Sequence, residues 1–195
     1  AARRFFATCN KVVLTFGTAW CFRNVATGTV VSNCLKRPAS EFVRERLSAS
    51  EVTSALTRIA DLCNGGSSDL QPKQFIFTVS PIRHFKDGAH GNQLSKSALL
   101  LGADKTIQSN LASADYFPAY EIVLDELRDY RYYADDMVHP SNIAIEYIWE
   151  CFTKCYFNEE TVAVCNDMEE IVRALKHRPF DAASEGYRRF VENLR

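Results

Sequence analysis

No apolar run in this 195-residue sequence reaches the ~18 residues that a membrane-spanning helix needs, because charged side chains interrupt every hydrophobic stretch. No membrane partner is therefore expected. Charge of one sign is lacking as well. With 23 basic side chains against 24 acidic ones, no net field gathers polyanions, and nucleic acid is not an expected partner. Paired cysteine spacings are missing. The seven cysteines fall at 9, 21, 34, 63, 151, 155 and 165 without a Cys-x-x-Cys pair, which reads as free thiols in a reducing, cytoplasmic setting. Cys151 and Cys155 lie four apart with His177 beyond them, a spacing that suits small core side chains better than a metal site. No metal and no cofactor are expected. The chain starts Ala1-Ala2-Arg3-Arg4, with neither an initiator methionine nor a secretory apolar segment, and that start reads as a cut in a longer chain. Internal repeats and low-complexity segments are also absent. What is present is core: 47% hydrophobic and 12% aromatic residues suffice for a single packed domain.

Val12-Val13-Leu14-Thr15-Phe16, closed by Gly17-Thr18, reads as a strand buried on both faces. Phe75-Ile76-Phe77-Thr78-Val79 has the same character and is closed by Ser80-Pro81, where proline ends ladder pairing. Between them Val52, Leu56 and Ile59 recur at helical spacing, after Ser48 or Ser50 as N-cap and before Asn64-Gly65-Gly66. A strand-helix-strand unit of this kind implies parallel strands. The pattern repeats with a helix over 94–113 and a third strand over 116–124, which Pro118 implies begins late or lies near an edge. Pro140 and Ser141 open a further helix whose Ile143, Tyr147, Ile148, Cys151 and Phe152 form one apolar face to pack on the sheet. From Asn166 the chain is more polar, with two helical stretches marked by Met168, Ile171, Val172 and Leu175, and by Tyr187, Phe190, Val191 and Leu194.

In an open parallel sheet ligands bind beyond the carboxyl ends of the strands. The segments there are Gly17-Thr18-Ala19-Trp20, Ser80-Pro81-Ile82-Arg83-His84 and Asp135-Asp136-Met137-Val138-His139-Pro140-Ser141. Asp-x-x-His on one tight turn lets a carboxylate hold one ring nitrogen of the imidazole, so that the other takes a proton from a hydroxyl. Asp136 would orient and His139 act as base; equally, Asp136 could cap the following helix and His139 pack at its start. His84, beside Arg83, suits an anion or a substrate carbonyl, or fills a polar loop. The serines at 32, 80, 95, 97 and 141 lack a Gly-x-Ser-x-Gly or Gly-Asp-Ser setting, so none reads as a nucleophile. Arg128-Asp129-Tyr130-Arg131-Tyr132-Tyr133 mixes charge and rings, as a stacking surface or as a packed lid with paired charges.

Several blocks in order, among them Leu14 to Trp20, Ser32-Asn33-Cys34, Thr78 to His84, Asn92 to Lys96, Tyr116 to Glu121, Leu127 to Ser141 and His177-Arg178-Pro179-Phe180, resemble the GSCFA family of bacterial proteins. The resemblance spans nearly the whole chain. It implies an α/β fold of the SGNH (GDSL-like) hydrolase type: a three-layer, flavodoxin-like parallel sheet with helices on both faces, its N-terminal strands lying before this sequence. Residues 1–165 would be the C-terminal part of that domain and 166–195 its helical extension. The SGNH Asp-x-x-His block then falls on Asp136 and His139. Where such proteins carry an oxyanion-hole asparagine in Gly-x-Asn-Asp, this chain has Gly17-Thr18-Ala19-Trp20, and Asn33 is the substitute amide to consider. Gly17, Thr18, Asn33, Ser80, Arg83 and His84 are the residues expected to line the substrate. The family's Gly-Ser-Cys-Phe-Ala motif, with its serine nucleophile, does not occur in this sequence.

Two functions follow as expectations. One is a serine hydrolase acting on a small-molecule or carbohydrate ester, its nucleophile upstream. The other is a non-catalytic ligand-binding protein that retains the hydrolase cleft and holds an anionic or carbohydrate ligand on Arg83, His84 and His139. The sequence leaves the substrate and the oligomeric state open. Three features of the structure would bear on these readings: Asp136 and His139 in hydrogen-bond contact at roughly 2.6 to 3.2 Å, Gly17 and His84 at one rim with His139, and the strand at 12–16 on an edge that the nucleophile's strand would cover.

Overall fold

In the computed structural model, which describes residues 2–64, 72–109, 113–176 and 185–192, the run 75–79 is the middle strand of a parallel sheet, because it has no polar face to offer water. The chain order is α1 (Ala2–Thr8), β1 (Lys11–Phe16), β2 (Trp20–Asn24), β3 (Val30–Val31), β4 (Phe42–Arg46), α2 (Ala49–Asn64), β5 (Gln74–Val79), α3 (Gly88–Gln108), β6 (Ala114–Phe117), α4 (Ala119–Glu121, continued by a π-helical stretch Ile122–Leu127), α5 (Asn142–Tyr156), α6 (Glu159–Lys176) and α7 (Glu185–Glu192). Among the described residues the parallel sheet has the order β1-β5-β6, with Lys11 opposite Gln74 and Phe75 opposite Ala114. The fold is thus mixed α/β, with the parallel strands that the strand-helix-strand pattern implies.

Phe75, Phe77 and Val79 face a core built with Val52, Leu56 and Ala60 of α2 and Leu99 and Ala103 of α3. Burying each large apolar side chain here contributes roughly 1.5–3 kcal/mol. Ile76 and Thr78 alternate to the other face and are buried too. Helix α2 starts with a reciprocal capping box: Glu51 N–H donates to Ser48 Oγ at 3.3 Å and Ser48 N–H to Glu51 Oε2 at 2.8 Å. Helices α2 and α3 pack so closely that a Cβ on Gly102 would lie 2.4 Å from Val52 Cγ1. At the amino end of β5 the buried Lys73 ammonium donates to the carbonyls of Ala7 and Cys9, tying α1 to the sheet.

Four expectations are corrected. β1, at the edge of the sheet among the described residues, is buried on one face rather than on both: Val12, Leu14 and Phe16 pack on the core, whereas Val13 is 47% exposed. The third strand stops at Phe117, and 119–127 is helical; Pro118 cannot extend the ladder, and Ile122 and Val123 are instead buried on a helix beside the sheet. α3 begins at Gly88, six positions before the helix read from the sequence. The face read on α5 is right only in part: Ile148, Cys151 and Phe152 are half-buried, but Ile143 is 66% and Tyr147 38% exposed, and Ala144 is the fully buried position.

A second sheet, antiparallel and of order β3-β2-β4 among the described residues, lies between β1 and α2 and was not expected from the sequence. Asn24 Oδ1 accepts from Ala26 N and Thr27 N at 3.0 Å each, and Gly28 at φ 67° completes the turn into β3. The Arg23–Glu45 ion pair at 2.5 Å crosses from β2 to β4. A bidentate pair, Arg44 to Asp87 at 2.5 and 2.8 Å, fixes β4 to the start of α3.

The chain divides into two compact units, 1–148 and 149–195. In the second, Trp149, Phe152, Tyr156 and Phe157 cluster with ring centroids 4.9 to 6.0 Å apart. Asn158 caps α6, its Oδ1 accepting from Thr161 N at 2.9 Å. Helix α6 starts at Glu159, ahead of the polar stretch read from Asn166. Gly65 and Gly66, Leu111, the 177–180 tail block and Leu194 lie outside the described residues, as do the side chains of Leu175, Phe190 and Val191. All seven cysteines are free thiols.

Candidate functional site

Because β1, β5 and β6 run parallel, the residues that follow them emerge at one end of the sheet. Gly17 follows β1 and Ser80 follows β5, and the two loops are tied at the root by Ser80 N–H donating to Phe16 O at 2.9 Å. A second tie comes from α3. Lys96, 1% exposed, sends its ammonium to Gly17 O at 2.6 Å and to Ser80 O at 2.5 Å. Burial holds its pKa down to about 8. Its neighbour Ser95 accepts from Ala19 N at 2.8 Å and bonds Thr18 Oγ1 at 3.0 Å. Thr18 Oγ1 also accepts from Trp20 N at 3.1 Å. Ser80 Oγ accepts from Ile82 N at 3.2 Å. Thr18 and Ser80 thus spend their hydroxyls on shaping the rim.

His84 joins Gly17 there. Its N–H donates to Asn92 Oδ1 at 3.0 Å. Its Nε2 lies 3.8 Å from where a Cβ of Gly17 would stand, sealed from solvent and closing no hydrogen bond of ordinary geometry among the described residues. Burial first, and the nearby Lys96 charge second, lower the His84 pKa below the ordinary histidine value. The imidazole is therefore neutral at neutral pH.

Asp136 and His139 stand on a turn whose backbone meets this rim: Arg83 N–H donates to Val138 O at 3.2 Å. The turn is closed by Ala134 N to His139 O at 2.7 Å and Met137 N to Ala134 O at 2.9 Å, with Met137 in the left-handed region at φ 58°. Asp136 Oδ1 accepts from the backbone of Val138 at 2.8 Å and of His139 at 2.9 Å, which leaves Oδ2 for His139 Nδ1 at 2.6 Å. Those two backbone donors, with the His139 ring, hold the Asp136 pKa down to about 2. Of the two readings open for Asp136, the helix cap is taken by another residue: Ser141 heads α5, its O accepting from Ile145 N at 2.9 Å and its Oγ from Ala144 N at 3.4 Å. In the neutral tautomer that donates Nδ1–H to Asp136, the lone pair is on Nε2, on a side chain 57% exposed.

Gly17, Thr18, Ser80, Arg83 and His84 are thus gathered at one rim, with the Asp136/His139 turn bonded to it. Asn33 is not joined to them by any hydrogen bond among the described residues; it is exposed in the loop after β3, its Oδ1 accepting from Leu35 N at 2.9 Å. Lys96, Ser95 and Asn92 carry much of the rim; the sequence marked them as one block of the family resemblance, and Ser95 as a serine without a nucleophile's setting, but not as site residues. Their signal is spacing: 92, 95, 96, 99, 103 and 106 form one buried face of α3, so the polar residues at its start sit where core residues belong.

Among the described residues no group of three or more His, Cys, Asp or Glu side chains is placed to hold a metal, and no helix is long and apolar enough to cross a membrane. A model of the GSCFA family matches residues 1–152, and a model of the C-terminal domain of GSCFA domain proteins matches residues 168–195. Neither a curated protein nor a solved structure matches the chain.

Proposed function

The chain belongs to the GSCFA family, and from that premise we propose that it is the base-bearing part of a serine ester hydrolase of the SGNH type, with His139 as general base and Asp136 as its orienting acid. The observation that carries the reading is the 2.6 Å contact between Asp136 Oδ2 and His139 Nδ1, on a turn bonded to the carboxyl rim of the sheet. The serine hydroxyl gives its proton to His139 Nε2 as its oxygen attacks the ester carbonyl, and Asp136 stabilises the imidazolium. The proton then passes to the departing alkoxide, and a water repeats the cycle to release the acid. The serine is that of Gly-Ser-Cys-Phe-Ala, a motif that these 195 residues do not contain. Gly17, Thr18, Ser80, Arg83 and His84 form the wall against which a small-molecule or carbohydrate ester rests.

A chain extended upstream through that motif tests this directly with a serine-directed phosphonate probe. Labelling is expected, with loss in His139→Ala and a fall of up to ~10⁴-fold in Asp136→Asn, where the wrong tautomer is favoured. The 195-residue chain alone should stay unlabelled and inert toward aryl esters. Robust cleavage by it would move the nucleophile, with Ser80 and Ser32 first to replace. The second reading is a non-catalytic binding protein with the same cleft. One observation favours it: the Arg83 guanidinium, 3.9 Å from the Tyr133 ring centroid, forms no ion pair among the described residues, as suits a side chain that holds an anionic ligand. An extended chain that binds a ligand but is neither labelled nor active would establish it over the enzyme.

A further inference from the structure

Arg83 lines two adjoining hollows, of about 190 and 360 Å³. It lies 3.9 Å from the centroid of the Tyr133 ring and 5.8 Å from that of Tyr130, and those two rings stand 6.3 Å apart. Among the described residues no carboxylate forms an ion pair with it and no acceptor takes its side-chain N–H groups. A guanidinium over an aromatic face can still offer N–H donors to a planar anion. The residues around it add donors rather than acceptors. Asn92 lines the larger hollow, and its Oδ1 is already used by His84 N–H, so what it presents is an amide NH₂. Gln93, also in that wall, has its Oε1 engaged by the Tyr120 hydroxyl. In the smaller hollow Arg128 adds a second positive charge, and the one acid there, Asp129, is held by Arg131 through the backbone N at 3.0 Å and Nε at 3.5 Å.

We propose that these hollows form an oxyanion subsite that holds the carboxylate of a ring-sized anionic ligand on Arg83 and Asn92, with the ligand's body against Tyr130 and Tyr133. The formal balance of Arg83 and Arg128 against Asp129 suits one negative charge, which favours a carboxylate over a phosphate dianion. The hollow of about 360 Å³ falls within the size range of small-molecule pockets. The site itself stands on the surroundings of Arg83. That its occupant is an ester substrate bearing a carboxylate rests on the hydrolase reading, because Arg83 N–H is bonded to the Asp136/His139 turn at Val138 O.

The test is equilibrium binding to the full chain of D-glucuronate, with D-glucose as its neutral counterpart and inorganic phosphate as the competing anion. Glucuronate should bind, weaken with added salt, and outcompete both controls. Arg83→Gln should lower its affinity at least about tenfold, the worth of a charge-assisted pair. Asn92→Asp keeps an acceptor for His84 N–H while placing a negative charge in the wall, and should weaken glucuronate by a similar factor even where Arg83→Gln fails to fold. Glucose binding as tightly as glucuronate, or glucuronate affinity unchanged in both variants, overturns the subsite. Phosphate binding more tightly than glucuronate overturns the carboxylate assignment. Binding needs no nucleophile, so an extended chain that binds glucuronate and shows no esterase activity supports this site while refuting the hydrolase reading.

Discussion

Replacing Lys96 by methionine tests how the rim is held, and the pH dependence tells its charge from its bulk. In the unfolded chain a lysine keeps its proton to about pH 10.5, whereas in the fold burial lowers the Lys96 pKa to about 8. Between those values the unfolded chain binds more protons, so stability rises with pH. The contribution is fully present above the unfolded value and is lost as pH falls through about 8. The full difference would be a ceiling of about 3 kcal/mol, and screening at the rim brings it nearer 2. At pH 7 the variant escapes that cost but leaves the carbonyls of Gly17 and Ser80 without their donor, at roughly 1–3 kcal/mol each. The balance is a net loss of about 2 kcal/mol. Urea unfolding of both proteins at constant ionic strength, from pH 7 to 10, reads the stability difference directly. Subtraction matters because Cys21, Tyr116 and Tyr120 have raised values and pull the opposite way at alkaline pH. The gap between wild type and Lys96→Met should widen by about 2 kcal/mol across the range. Parallel pH curves would refute the buried ammonium.

The same lysine charge acts on His84, so by NMR the His84 imidazole should titrate below the ordinary histidine value and move upward in Lys96→Met; no movement would mean that burial alone sets it. Gly102→Ala should destabilise the fold by roughly 1–3 kcal/mol, because overpacking against Val52 exceeds the helix-propensity gain of about 1 kcal/mol. Adding Val52→Ala should relieve only part of that strain, because the Cβ at position 52 would still stand 2.6 Å from the new methyl, and a stabilising Gly102→Ala alone would contradict the close approach of α2 and α3. The Asp136 carboxylate carbon should titrate near pH 2, and the hold of its backbone donors should weaken only as pH falls toward that value. A midpoint at the ordinary aspartate value would mean that the turn's two backbone donors are not engaged.

What was legible in the fold was the part whose physics is local. Phe75 to Val79 has no polar alternation, and a strand without a polar face must be covered on both sides, as β5 is. Val12 to Phe16 looks the same in composition, yet among the described residues it lies at an edge with Val13 exposed. Composition does not say whether a neighbouring strand exists. The run 116–124 misled for a related reason: Ile122-Val123-Leu124 suits a strand or a buried helix equally over so short a length. Pro118 marked the boundary, but as the end of the strand rather than a late start. The antiparallel sheet went unread because its strands carry Arg23, Arg44, Glu45 and Arg46, and charge in a short run reads as loop until Glu45 is seen to neutralise Arg23 across the ladder.

The site divides in the same way. Asp136 and His139 are three residues apart, so their contact is decided by one turn, and the chain's own backbone donors at Val138 and His139 suffice to aim the carboxylate. Lys96 reaches Gly17 and Ser80 across 79 and 16 positions of sequence, a distance over which spacing carries no information until the strands are known to be parallel. Once they are, the buried face of α3 obliges Lys96 to face the strand ends. A charged group buried there needs acceptors, and the carbonyls just beyond β1 and β5 no longer belong to a ladder. Two such carbonyls, left over because both strands stop at the same level, are what a single ammonium can satisfy at once. The polar start of α3 is therefore part of how the sheet ends, and it sets the rim on which the Asp136/His139 turn is hung.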